Sequence, residues 1–370
     1  MDIRYNTLVS AAFKKEAEVK AEEQKQIVQL YELEERQKIY AFAEQKKILP
    51  FAANLLSTMD LDKEFWLKIL EHYEKRNQKI LEELDHLFRK LYENGVKKIF
   101  VTENFGAVLA SDAEIGLFAS GDVDLYAEID EKEKIYDIFR EAGYSIEERY
   151  TFQRLINTNF RSLERFPDGF YFSVAWEPLS RTKLPCFVAA ENFLEWGACT
   201  KARNTAVTIP DRNALMYICL LHVSLHSFSR APDIRLYIDI KNLSLGTIDW
   251  DWIMRQARND GTTIRVLASC ILANKLVCAK IPAQILSGAE SRNKKLRNLL
   301  SLVYNDKNNC LLYEPNRAEV FLIEIMSDDR PLISSLFRML FPEQMWIRET
   351  YLSGPGSLLL AYCRHLRNLC

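Results

Sequence analysis

The sequence predicts an α+β protein in which a strand-rich middle segment lies between two helical regions. Helical periodicity dominates residues 11–94, strand patterns alternate with short helices from Val96 onward, and helical patterns return after Thr208. We therefore predict three parts: an N-terminal helical region (1–95), an α+β core (96–205) and a C-terminal helical domain (206–370).

Composition is that of an ordinary globular protein, with 48% apolar residues, 27% charged residues and a formal charge of −2. A basic footprint is missing, so we expect no general nucleic-acid binding. No apolar stretch approaches the roughly 20 residues that cross a bilayer, and the N-terminus lacks the apolar region of a signal peptide. We therefore predict a cytoplasmic protein that does not bind membranes; composition leaves its oligomeric state open.

In the N-terminal region, residues 11–45 are rich in Lys, Glu, Gln and Ala, with apolar residues at 27, 28, 30, 31 and 33 on one side. This spacing predicts an amphipathic helix. Pro50 interrupts the pattern, and residues 60–94 predict one or two further helices that end at Gly95.

Strand patterns define the middle segment. Residues 96–103 (VKKIFVTE) predict a first strand, followed by a glycine-containing turn and a short helix near residues 105–110. Residues 121–129 (GDVDLYAEI) predict a second strand, residues 132–142 a helix that ends at Gly143, and residues 144–151, 152–157 and 169–176 further strands. Pro210 and Asp211 then mark the start of a long apolar helix over residues 212–228.

Two acids on the second strand give the clearest chemical signal. Residues two apart on a strand project from the same face, so Asp122 and Asp124 aim both carboxylates at one point while Val123 and Leu125 pack behind them. Such a pair is a hard oxygen site for Mg²⁺ or Mn²⁺. The structural alternative is a pair of solvated acids at the edge of a sheet.

Gly106 and Ala107 lie between the two predicted strands, where a backbone turn could approach a phosphate. The absence of a side chain at Gly106 would allow that approach. The alternative is a glycine that serves only the turn.

Six short segments together resemble a known family. They are FGAVL at 105–109, GL at 116–117, SGDVDL at 120–125, IPD at 209–211, LLHVSLH at 220–226 and IRLYIDI at 234–240. Their order and spacing are similar to those of the uncharacterised bacterial nucleotidyltransferase family of the polymerase-beta-like superfamily, over residues 96–245. The resemblance implies a small mixed sheet that bears the metal site and is flanked by helical regions.

The resemblance also implies roles for individual residues. Asp122 and Asp124 are the expected catalytic, metal-binding pair. The expected contacts to a nucleoside triphosphate (NTP) come from four residues of the same motif: Gly106, Ala107, Ser120 and Gly121.

Two positions depart from the family pattern in charge. Phe105 stands where the family usually has a Lys before the glycine, and Phe118 where an Arg commonly precedes the acidic pair. Two expected phosphate-binding charges are therefore missing.

The strand expected to supply a third carboxylate departs as well. Ser173 and Ala175 stand where the family pattern carries Asp and His. A neutral serine cannot replace an anionic metal ligand. Glu177 and Asp168 lie close by in sequence and are alternative sources of the third acid.

Four residues further along complete a possible substrate cleft together with Ser173 and Glu177. His222 and His226 are four apart on an apolar helix, a spacing compatible with zinc but also with histidines that pack between helices. Arg235 and Asp239 suit ion pairing along a helix, and their match to the family pattern also suits a role near the site.

These features favour an enzyme that uses Mg²⁺ or Mn²⁺ to transfer a nucleoside monophosphate from NTP to an unidentified small-molecule, peptide or protein acceptor. The alternative is a catalytically degenerate nucleotidyltransferase fold that recognises a peptide or partner protein, which the missing acid and cations favour. A helical scaffold with an incidental acidic strand would bind no nucleotide.

Overall fold

A computed structural model describes residues 3–14, 18–111, 113–151, 154–176, 200–202, 204–230, 234–304, 313–342, 344–352 and 356–369. Over these residues the chain is an α+β protein, as the sequence predicts. A five-stranded mixed sheet lies between helices that precede and follow it in sequence.

Five helices precede the sheet: α1 (Ile3–Ala12), α2 (Ala21–Leu33), α3 (Arg36–Gln45), α4 (Leu49–Thr58) and α5 (Lys63–Glu93). The prediction of one helix over residues 11–45 is wrong, because the backbone turns to an extended conformation at Glu34 and separates α2 from α3. Pro50 lies in the first turn of α4, where its missing N–H leaves no helical hydrogen bond unmade.

Five strands form the sheet: β1 (Ile99–Val101), β2 (Asp122–Ala127), β3 (Ser145–Thr151), β4 (Arg154–Arg161) and β5 (Tyr171–Ala175). Their order is β1-β2-β5-β4-β3. Only β2 and β5 are parallel; the other neighbours are antiparallel. Helix α6 (Glu103–Ala110) connects β1 to β2, and α7 (Lys132–Glu141) connects β2 to β3.

The two faces of the sheet differ in chemistry. One face buries Val123, Leu125 and Phe172 in a core shared with α5 and α7. The opposite face, here called the site face, carries Asp122, Asp124 and the residues that pair with them across β5 and β4. The acidic pair therefore lies on the face of the sheet opposite this core.

Helices dominate the rest of the chain after a short hairpin of β6 (Thr200–Lys201) and β7 (Thr208–Ile209). They are α8 (Arg212–Leu225), α9 (Arg235–Ser244), α10 (Trp250–Asn259), α11 (Thr263–Val277), α12 (Ala283–Arg292), α13 (Lys294–Val303), α14 (Arg317–Ser327), α15 (Leu332–Leu340), α16 (Gln344–Tyr351) and α17 (Leu358–Leu369). The Asp211 side chain caps α8 by accepting from the Asn213 and Ala214 backbone N–H groups, at the helix start that the sequence predicts.

Helices α8 and α9 both pack against α6 and so bring the C-terminal region to the site face. In the described part of the chain, no helix has the length and apolar character needed to cross a bilayer.

The division at residues 95 and 205 stays a prediction. Helix α5 belongs to the first part by sequence, yet Ile80 and Leu84 are fully buried in the core beneath the sheet.

Helix α5 also positions the segment that leads into β2. The buried Asn77 side chain donates through Nδ2 to the carbonyl oxygens of Ile115 (2.7 Å) and Phe118 (2.9 Å). Arg76 Nη2 donates to the carbonyl oxygen of Ser120 (3.0 Å). These bonds tie the segment of residues 115–120 to α5 and so fix the position from which the chain enters β2.

Replacing Asn77 with Ala should lower the free energy of unfolding by about 2–4 kcal/mol, since the carbonyl oxygens of Ile115 and Phe118 each lose a buried hydrogen bond. Urea denaturation followed by circular dichroism measures the change. The adjacent Gln78 is exposed, and its replacement with Ala should change stability by less than about 0.5 kcal/mol. Equal effects of the two substitutions would contradict the role assigned to Asn77.

Candidate functional site

Asp122 and Asp124 lie on β2 and project from the site face. The alternate residues Val123 and Leu125 are buried on the other face. This is the alternation expected from a strand. The two carboxylates are thus presented side by side next to the start of α6, since the Asp124 carbonyl oxygen accepts from the Thr102 backbone N–H (2.9 Å) just before that helix.

Each carboxylate is oriented by hydrogen bonds from neighbouring side chains. Ser120 Oγ donates to Asp122 Oδ1 (2.6 Å), and the Tyr171 hydroxyl also bonds to Asp122. Asn104 Nδ2 donates to Asp124 Oδ2 (2.7 Å). The carboxylates are therefore fixed in direction before any ligand binds.

Negative charge accumulates around Asp124. Burial raises the pKa of Asp124 well above its ordinary value, and the nearby carboxylates of Asp122 and Glu103 raise it further. The positive charges of His222 and Arg235 act in the opposite direction but do not outweigh these effects. Asp124 therefore keeps its proton to a higher pH than an ordinary aspartate does.

The predicted turn at Gly106 and Ala107 is wrong: helix α6 begins at Glu103, and both residues lie inside it and are buried. A Cβ atom at Gly106 would be 2.9 Å from the Val101 carbonyl oxygen, so glycine is required by the close packing of α6 on β1. The open start of the helix is instead formed by Glu103, which has a left-handed backbone (φ 46°), and by Asn104. Contact of Gly106 and Ala107 with a nucleotide stays a prediction.

Ser173 lies directly beside Asp124 in the parallel register of β2 and β5. Its hydroxyl oxygen accepts a hydrogen bond from Asn157 Nδ2 (3.1 Å) on β4. The position from which a third carboxylate would face the pair is thus filled by a neutral, hydrogen-bonded side chain.

Asp168, one of the two sequence alternatives for the third acid, is engaged in a contact elsewhere. Asp168 accepts from Arg76 Nε at 2.7 Å and is held in that ion pair against α5. Glu177 lies outside the described residues. Among the residues that the structure describes, no group of three or more His, Cys, Asp or Glu side chains is arranged to hold a metal ion.

His222 and His226 on α8 form a chain of contacts with Glu103. His222 Nδ1 lies 2.7 Å from Glu103 Oε2, and His222 Nε2 lies 2.9 Å from His226 Nε2. Burial lowers the pKa of His222, but the carboxylates of Glu103 and Asp124 outweigh it and raise the pKa overall. The histidines are thus satisfied by each other and by an acid, which supports the packing interpretation over zinc binding.

Arg235 and Asp239 lie one turn apart on α9. Arg235 Nη1 donates to Asn104 Oδ1, so one amide side chain joins Arg235 to Asp124. Burial raises the pKa of Asp239 to about 7, although the positive charges of Arg235 and His222 lower it. The structure therefore places Arg235 and His222 close enough to Asp124 to affect its pKa, and their role in a substrate cleft stays a prediction.

Sequence reasoning missed Glu103 and Asn104, although both contact predicted site residues. The available signal was two polar residues between a buried strand and a helix that begins with them. Helix starts expose unpaired backbone N–H groups, so polar residues there are candidates for a site.

A mixed sheet that presents an Asp-x-Asp pair beside the start of a connecting helix has the architecture of a nucleotidyltransferase core. Comparison with family models agrees: a model described as an uncharacterised nucleotidyltransferase matches residues 32–277. The match covers more than half of the chain, and the protein belongs to this family. Comparison with curated proteins gave no match.

The Asp239→Asn variant should be more stable than the unmodified protein at pH 8, by up to about 4 kcal/mol. The folded-state pKa of Asp239 is about 7, above its ordinary value of 3.8. Between these two pH values Asp239 is therefore protonated in the folded protein and ionised in the unfolded chain. Stability contributed by this group is present below pH 3.8 and is lost as the pH rises through 7. Urea denaturation at several pH values measures the difference, and a gap that does not shrink on acidification would contradict it.

Proposed function

We propose that this protein transfers a nucleoside monophosphate from NTP to a small-molecule, peptide or protein acceptor and releases pyrophosphate, in a reaction that requires Mg²⁺ or Mn²⁺. The observation that carries the proposal is the pair of oriented carboxylates, Asp122 and Asp124, on one face of β2. Membership of a nucleotidyltransferase family supports the reaction class.

The residues present fit one divalent ion. Mg²⁺ sites of this type use one or two carboxylates together with substrate phosphates and water, so a complete cage of protein ligands is not needed. Burial and the nearby carboxylates of Asp122 and Glu103 raise the pKa of Asp124, and a bound cation would favour its ionised form. Asp122 and Asp124 would hold the ion, which would offset the charge of the triphosphate.

The side chains around the pair act by orientation. Asn104 holds one oxygen of Asp124, and Ser120 and Tyr171 both bond to Asp122. Fixed ligands lower the cost of ordering the site when the substrate arrives. His222 and Arg235 add positive charge near Asp124, where the phosphates would approach.

The acceptor is proposed from the charge of the chain. A nucleic-acid polymerase needs a basic surface along its template, whereas this chain has a formal charge of −2. A small molecule, a peptide or a protein places no such demand on the surface.

A second candidate function rests on Ser173. A neutral residue beside Asp124 removes the third acid expected in the family, and Phe105 and Phe118 remove two expected cations. A degenerate fold that binds a peptide or partner protein would keep the sheet without turning over NTP.

The Asp124→Asn and Asp122→Asn variants should release pyrophosphate at least about 100-fold more slowly than the unmodified protein, because a lost metal ligand removes several kcal/mol of charge stabilisation. They should also lose the Mg²⁺-dependent part of the rise in melting temperature that NTP causes. A coupled pyrophosphate assay and thermal unfolding across a panel of NTPs measure these effects.

Asp130→Asn is the matched control, since it removes an exposed acid shortly after the same strand. It should match the unmodified protein in both assays. NTP binding without Mg²⁺ dependence and without pyrophosphate release would favour the binding protein, whereas no stabilisation by any NTP would contradict both candidate functions.

A further inference from the structure

A cavity of about 320 Å³ lies next to the acidic pair. Its walls come from the N-terminal helices α1 and α4, from α6, from the segment before β2 and from α9. We call this space the helical cavity. Its volume is at the lower end of the usual range for small-molecule sites, so it suits a small molecule rather than the surface of a folded protein.

The residues that line the helical cavity differ in their exposure to solvent. Asn54 on α4 and Glu114 are exposed, whereas Asn104, Ser120 and Asp239 are buried. Asn104 and Ser120 each donate a hydrogen bond to one carboxylate of the acidic pair. The cavity therefore extends from solvent to the side chains that hold the pair, and a molecule that enters it approaches the site from the side of the helices.

Asp239 lines the buried part of the helical cavity with an unpaired carboxyl group. It is 9% exposed, and within the described part of the chain it accepts no hydrogen bond and forms no close ion pair. A buried carboxyl without a partner lowers the stability of the fold when it is ionised. Because it lies in a cavity of ligand size, this unfavourable arrangement indicates a role in function.

Arg235 lies one turn before Asp239 on α9 and also lines the helical cavity. Its Nη1 donates to Asn104 Oδ1, while its Nε has no hydrogen-bond partner among the residues that the structure describes. Arg235 thus offers a donor and Asp239 an acceptor. A hydroxyl group both donates and accepts, so it complements this pair, whereas an ammonium group only donates and would be repelled by the guanidinium. The two residues therefore favour a hydroxyl-bearing ligand that is not a cation.

Asp239 and Asp124 respond to the same neighbouring charges. Glu103, His222 and Arg235 each affect the pKa of both aspartates. Because interactions between charges weaken with distance, the two carboxyl groups belong to one cluster of charged side chains. A ligand in the helical cavity and a nucleotide held by the acidic pair would therefore be neighbours.

We propose that the helical cavity binds the acceptor of the transfer reaction, a small hydroxyl-bearing molecule that is not a cation, and that Asp239 takes up the proton of that hydroxyl. This inference rests on the proposed function and selects the small-molecule class of acceptor. The acceptor oxygen forms a bond to the α-phosphorus of NTP while the bond from this phosphorus to the oxygen bridging to the β-phosphorus breaks. Pyrophosphate leaves with the electron pair of that bond, and the hydroxyl proton passes to the Asp239 carboxylate.

The ionisation of Asp239 suits this role. A base whose pKa is close to the working pH can take up a proton during the reaction and return it to water afterwards. Burial raises the pKa of Asp239 to about 7, which meets this condition. Ser173, beside Asp124 on the sheet, is neutral and cannot serve as this base. A base on α9 would supply the function that the sheet position lacks.

The test uses the full-length protein, a panel of NTPs radiolabelled at the α-phosphate, MgCl₂ and two acceptor pools. Both pools come from an extract of the cells that produce the protein: one is the small-molecule filtrate, and the other is the retained protein fraction. We expect label in new small products of the filtrate and none on the retained proteins. Thin-layer chromatography measures the small products, and gel electrophoresis measures the labelled proteins.

The Asp239→Asn variant should lower the rate of transfer to the filtrate at least about 100-fold, since an amide cannot take up the proton. We expect it to fold, because it removes an unpaired buried carboxyl. Asn242→Trp places an indole ring in the wall of the cavity and should lower transfer at least about tenfold by excluding the acceptor. Asn298→Trp makes the same change at an exposed position of α13 and should leave transfer unchanged.

All three variants should keep the Mg²⁺-dependent rise in melting temperature that NTP causes, since each leaves Asp122 and Asp124 in place. The same melting curves show whether Asn242→Trp is folded, and Asp239→Asn carries the test if it is not. Loss of the NTP effect in a folded Asn242→Trp variant would assign the cavity to the nucleotide and overturn the inference.

The outcomes separate this inference from the proposed function. If no NTP stabilises the unmodified protein, or if bound NTP gives label to neither pool, both proposals are wrong. If label moves to the retained proteins and not to the filtrate, the proposed function stands and the small-molecule acceptor is wrong. If Asp239→Asn and Asn242→Trp label the filtrate as fast as the unmodified protein, transfer to a small molecule stands and the cavity assignment is wrong.

Discussion

The Asn104 side chain ties together the three parts of the molecule that meet at the site. Its Nδ2 donates to Asp124 on β2, and its Oδ1 accepts from Arg235 on α9. Both polar atoms of the buried Asn104 amide therefore have hydrogen-bond partners. Leaving either atom unpaired in a buried position would cost desolvation free energy. Sheet, connecting helix and C-terminal helices are therefore locked in one arrangement around a carboxylate whose pKa is raised by burial.

That arrangement gives the helices outside the sheet a role beyond packing. Helices α1 and α4 close a cavity that the core alone would leave open, and α9 brings its cations to the same space. The two positions where the family pattern carries cations hold a buried aromatic pair instead, Phe105 and Phe118. Ser173, which lies beside Asp124 on the site face, remains the feature that the proposed activity must accommodate.

Sequence reasoning succeeded where the signal was local. The alternation that exposes Asp122 and Asp124 follows from the pleat of a single strand, and the Asp211 cap follows from helix-start chemistry. It failed at Gly106, because whether a glycine serves a turn or a close helix–strand contact depends on packing with Val101. Contacts such as that between Glu103 and His222 join distant segments, and spacing in sequence carries no information about them.

The contact between Lys241 Nζ and the Phe13 carbonyl oxygen joins residues 228 positions apart. During synthesis the amino-terminal helices leave the ribosome first. Lys241, which contacts Phe13 directly after α1, is synthesised long afterward. A nascent chain must therefore carry α1 without its final partner while the sheet and α8 form. The cavity that α1, α4 and Lys241 line is therefore completed only after residue 241 has been synthesised.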